Sequence, residues 1–84
     1  MIFFKGVTMY QTPSTQASNI LNRYSRPSIG YSVTVWNFKN SKELNRAYNE
    51  VLEAVGDFIS LVKIKTHINK QTPRGKDNFI QIFD

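Results

Sequence analysis

The chain has 84 residues, a formal net charge of +5, 40% hydrophobic and 20% charged residues, and no cysteine. This composition excludes disulfides, thiolate nucleophiles and cysteine-ligated zinc, and it argues for a folded chain rather than a disordered one. The length suits a single domain, residues 1–84, with a small core and a thin stability margin.

Ile2 to Tyr10 (IFFKGVTMY) is rich in bulky β-formers and reads as a strand, with Gly6 as a bulge position. Pro13 breaks it. Ser14 is the expected N-cap of a short helix, in which Ala17, Ile20, Leu21 and Tyr24 recur at i, i+3, i+4 and i+7. Pro27 stops that helix, because the residue before a proline is pushed out of the α region. Tyr31 to Phe38 (YSVTVWNF) reads as a second strand. Alternation puts Tyr31, Val33 and Val35 on one face and Ser32, Thr34 and Trp36 on the other.

The stretch Asn40 to Gly56 (NSKELNRAYNEVLEAVG) is the clearest helix. Leu44, Ala47, Tyr48, Val51, Leu52 and Val55 form one apolar stripe, and both Val51 and Leu52 are expected to be buried. Asn40 and Glu43 stand at the spacing of a capping box, and Gly56 stands where a helix ends. Phe58 to Asn69 reads as a third strand. On it Val62, Ile64, Thr66 and Ile68 face one way, and Lys63, Lys65, His67 and Asn69 the other. Gln71 to Asn78 is a turn cluster around Pro73 and Gly75, and Phe79 to Phe83 is a closing strand antiparallel to the one before it.

The order β-α-β-α-β-β predicts an α/β chain folded as a small two-layer sandwich, with the helices on one sheet face and the other face open. Strand–helix–strand connections favour parallel neighbours. If a hairpin replaced the first helix, the class would be α+β with an antiparallel sheet.

Charge is unevenly spread. No acidic residue precedes Glu43, the central helix carries Glu43, Glu50 and Glu53, and Lys63 to Lys76 is purely basic. Catalysis finds little support. His67 has no carboxylate near it in sequence to orient it as a base, so a surface histidine is the simpler reading. Glu50 and Glu53 read as the solvated side of an amphipathic helix. Gly75-Lys76 lacks the rest of a phosphate loop. No cofactor and no metal site is expected.

Lys63, Lys65 and His67 recur every second residue, hence about 7 Å apart on one face, a spacing close to that of phosphates along a nucleic-acid strand. Lys70, Arg74 and Lys76 extend the row into the turn. If Val33 and Val35 pack under the helices, Trp36 joins the lysines on the open face. An aromatic among phosphate clamps is the physics of single-strand and RNA binding. The bland alternative places Trp36 in the core and leaves the lysines as solubilising charge.

In its Asn-, Lys- and Ile-rich make-up and small size, the chain resembles small accessory proteins of viruses and mobile elements. That resemblance implies binding to a host enzyme or to nucleic acid. Three readings follow. The first is a non-enzymatic RNA- or single-strand-binding protein using Trp36, Lys63, Lys65, His67, Lys70, Arg74 and Lys76. The second is an antitoxin-like or anti-defence inhibitor that docks on a host protein through Trp36 or Tyr31. The third is an assembly protein that oligomerises through a sheet edge or the Phe79–Phe83 strand. A cytoplasmic setting without membrane attachment suits all three: no apolar run spans a bilayer, and the starting MIFF is too short for a signal-peptide core.

Overall fold

A computed structural model describes residues 11–84. The strand expected over Ile2–Tyr10, and its bulge at Gly6, lie outside the described residues. The elements are α1 (Pro13–Asn22), β1 (Pro27–Ile29), β2 (Val33–Phe38), α2 (Ser41–Val55), a 3-10 helix (Gly56–Leu61), β3 (Ile64–Thr72) and β4 (Gly75–Phe83). The four strands form one sheet in the order β1-β2-β4-β3, antiparallel throughout, so the fold is α+β. Both helices pack on one sheet face, as the two-layer expectation had it.

The expectation of parallel neighbours is corrected, and the reason is local. β2 and β3 each run antiparallel to β4, so they are parallel to one another, as a strand–helix–strand crossover favours. The hairpin return then inserts β4 between them, making a split β-α-β unit. The class is therefore α+β even though the first helix is present. β4 is an inner strand, which removes Phe79–Phe83 as an edge for oligomerisation.

The N-cap of α1 lies two residues before Ser14. Thr12 is the N-cap, its hydroxyl accepting from the Thr15 N–H at 3.1 Å, and Pro13 occupies the first turn, where its missing N–H costs nothing. Ala17, Ile20 and Leu21 are buried, as the stripe requires. The Asn40 half of the expected capping box is present, with Asn40 Oδ1 accepting from the Glu43 N–H at 2.8 Å, and Gly56 follows with φ +56. Leu44, Ala47, Val51 and Val55 are buried, but Leu52 is only half-buried. Leu52 lies at the margin of the stripe, one residue round from Val51, so a narrower face than expected meets the sheet.

Sequence alternation pairs the residues of β2 correctly but assigns the two faces the wrong way round. Trp36 and Phe38 point into the core, with Trp36 only 1% exposed, while Val33 and Val35 lie on the other face. An indole and a phenyl bury far more apolar surface than two valines, so the larger pair wins the interior. The indole N–H is satisfied by donation to Asn22 Oδ1 at the end of α1, 2.9 Å away. On β4, Ile80 across from Trp36 and Ile82 across from Thr34 complete the core together with Val62.

The segment Phe58–Asn69 is two elements, not one strand. Its first part continues from α2 as the 3-10 helix, leaving Phe58 and Leu61 exposed. β3 then runs further than expected, to Thr72, so most of the supposed turn cluster is ladder and only Pro73 and Arg74 turn the chain. A bulge interrupts this ladder between His67 and Lys70. Asn69 there has φ +53, a conformation asparagine tolerates better than most residues. Its N–H is held by the buried side-chain oxygen of Asn78 at 3.0 Å.

Glu50 does more than face solvent. Its carboxylate accepts a hydrogen bond from the Tyr24 hydroxyl and pairs with Arg23 at 3.3 Å, tying the end of α1 to α2. Bonding to Glu50, followed by burial and the carboxylate charge, raises the phenol above its usual value of 10.0. A raised phenol favours the folded, neutral form. Its contribution is complete below the unfolded value and is lost as pH climbs through the folded one. Unfolding measured between pH 8 and 12 should therefore show an alkaline loss of stability that is smaller in Tyr24→Phe. For the core, Leu44→Ala should cost about 2–5 kcal/mol in denaturant unfolding, and Leu52→Ala clearly less. Equal costs would contradict the stripe seen here.

Candidate nucleic-acid interface

Residues directly opposite in an antiparallel pair share a sheet face, so the register defines the face that no helix covers among the described residues, the open face. On β4 it carries Asp77, Phe79, Gln81 and Phe83. On β2 their partners are Asn37 across from Phe79, Val35 across from Gln81, and Val33 across from Phe83. On β3, Lys65 stands across from Gln81 and His67 across from Phe79. Lys63 is beside Phe83, whose N–H donates to the Lys63 carbonyl at 2.8 Å. Lys63, Lys65 and His67 therefore share the open face, with both lysines exposed.

Lys70 belongs to the same face because of the bulge. Strict alternation from His67 would turn Lys70 to the helix side. The register instead advances three residues on β3 against two on β4, so Lys70 pairs with Asp77. Arg74, in the turn, bends back to Asp77, with its Nη2 2.8 Å from Oδ2. Lys76 does not join the row. It pairs with Gln71 and alternates with Asp77, so it faces the helix side of the hairpin. Trp36 is likewise absent from the open face, being buried beneath it. The row is thus Lys63, Lys65, His67 and Lys70, with Arg74 at its end.

The aromatic platform is supplied by residues that sequence reading took only as a closing strand. Phe79 and Phe83 are part-exposed on the open face, two alternations apart on an inner strand. His67 stacks on Phe79 with ring centroids 4.3 Å apart and planes 17° from parallel. Its Nε2 also lies 2.8 Å from Gln81 Oε1. The signal that could have found them is the alternation in FIQIF: the isoleucines complete the core, which leaves the phenylalanines opposite. Assigning Trp36 outward hid this, because it left the core without its largest side chain.

Charge is divided between the two layers. Glu43, Glu50 and Glu53 are on α2, across the sheet from the basic row, and Asp77 is the acid on the open face within the described strands. Between β1, β2 and the turn lies a groove of about 370 Å³ lined by Ser28, Val35, Asn37, Thr72, Arg74, Asp77 and Phe79. The open face can thus offer stacking surfaces, hydrogen-bonding edges and cations together. No helix among the described residues is long and apolar enough to cross a membrane. Compared with family models, curated proteins and solved structures, the chain finds no match in any of the three.

Proposed function

We propose that the protein binds single-stranded nucleic acid, RNA in preference, through the open face of its sheet, without catalysis and in a cytoplasmic setting. The observation that carries this reading is the co-facial set of Phe79 and Phe83 with Lys63, Lys65, His67 and Lys70. Part-exposed aromatics on an inner strand give bases something to stack on. Cations along the neighbouring edge strand meet the backbone that links those bases. Glu43, Glu50 and Glu53 lie on α2, away from phosphates at this face, and Arg74 offsets the charge of Asp77 there.

A second reading has its own observation. Tyr31 is fully exposed at the β1–β2 turn and Ile29 beside it is 81% exposed, an apolar tip suited to anchoring on a protein. An inhibitor of a host enzyme would use that tip. A pulldown from nuclease-treated lysate separates the two: a protein retained by the wild type and lost in Tyr31→Ala favours the inhibitor.

The nucleic-acid reading is tested by fluorescence anisotropy with single-stranded RNA and DNA over a salt series. Affinity should fall steeply with salt. Lys63→Gln/Lys65→Gln should keep the fold, since both side chains are exposed, and should lower the salt slope by about one to two units. Phe83→Ala should weaken binding by about 1–3 kcal/mol with the salt slope unchanged. Absence of binding at low salt ends the reading.

A further inference from the structure

The groove beside Phe79 has the makings of a subsite for one base, and its chemistry selects among the four. His67 covers the side of the Phe79 ring that faces β3. The groove opens on the other side, toward β2 and β1, and His67 is not part of its lining. A flat ring entering there extends the stack, with Phe79 sandwiched between imidazole and base. Val35 adds apolar lining to this open groove of about 370 Å³.

The polar groups around that slot are unequal. Asp77 is the carboxylate among its lining residues, its side chain 22% exposed. Its Oδ2 is held by Arg74 Nη2 at 2.8 Å and lies 3.2 Å from Thr72 Oγ1. The Thr72 hydroxyl has one proton and a closer acceptor in the Gly75 carbonyl at 2.9 Å, so Oδ1 and a second site on Oδ2 stay open among the described residues. A fixed carboxylate accepts and cannot donate. It suits a base edge with two adjacent N–H donors, and guanine, with N1–H beside its N2 amino group, is the base that has one. Adenine and cytosine place a ring-nitrogen acceptor next to their amino group. Uracil flanks its single N–H with two carbonyl oxygens. Each of these sets a lone pair against the carboxylate. Arg74 is placed to neutralise Asp77 and so keeps the acid compatible with a nearby phosphate.

We propose that this groove is a guanine-reading subsite, with Phe79 stacking on the base and Asp77 accepting from its N1–H and N2 amino group. The proposal rests on the reading of the open face as a single-strand-binding surface and adds a base preference to it.

The test uses the full chain and five fluorescein-labelled RNA octamers, each uridine except for one central position carrying G, A, C, U or inosine. The G octamer should bind about tenfold more tightly than the all-uridine one, the order expected for a paired hydrogen bond to a base edge. Inosine keeps N1–H but lacks the N2 amino group, so it should lose most of that advantage. Asp77→Asn should bring the G and U octamers to within about twofold, with the U octamer bound no more weakly than by the wild type. The inosine comparison needs no variant, so it stands even if Asp77→Asn disturbs the hairpin. Equal binding of all five, or preference for another base, overturns the subsite and leaves the proposed function in place. No binding of any octamer at low salt overturns both.

Discussion

Burial of Trp36 is the constraint on which the rest depends. A strand alternates, so turning one side chain inward fixes every other residue of the strand, and pairing carries that parity across the sheet. With Trp36 inside, Phe38 is inside, and Ile80 and Ile82 follow on β4. Val33, Val35, Phe79 and Phe83 are then outside. The hydrogen bond from the indole to Asn22 removes the one penalty of burying this ring and ties β2 to the end of α1. The character of the open face is a consequence of what the core demands.

A second device keeps the basic row continuous. Among the described residues β3 is an edge strand, where lysines and a bulge both discourage pairing with another chain. The bulge at Asn69 serves a further purpose here. By adding one residue it returns Lys70 to the face of Lys65 and His67, and Asn78 secures the distortion by accepting the freed N–H. From Asn69 to Lys76 no residue is buried, so the hairpin projects past the core and brings Arg74 and Asp77 to the rim of the open face.

Much of this was legible in the sequence. α2 followed from its stripe and caps, and the co-facial lysines from alternation alone, because both depend on contacts within one element. What was not legible depends on comparing elements. Trp36 and Phe38 outweigh the valines on β2, but burying the indole also needs an acceptor, which Asn22 of α1 supplies from fourteen positions away in sequence. The place of β4 between β2 and β3 is decided by pairing over a still longer range. The bulge has only a weak local sign, a single asparagine between Ile68 and Lys70. The error at Trp36 then propagated: it put the aromatic platform on β2, whereas the register puts it on β4 at Phe79 and Phe83.

The central claim is that the open sheet face, not the helix layer, is where a nucleic-acid strand lies. The most direct test is a two-dimensional NMR titration of the labelled protein with a single-stranded RNA octamer. Shifts should concentrate on the rings of Phe79 and Phe83, on His67, and on the amides of β3 and β4, with the exposed residues of α2 unmoved. Shifts centred on α2 or on the Ile29–Tyr31 turn, with β3 and β4 silent, would contradict the account.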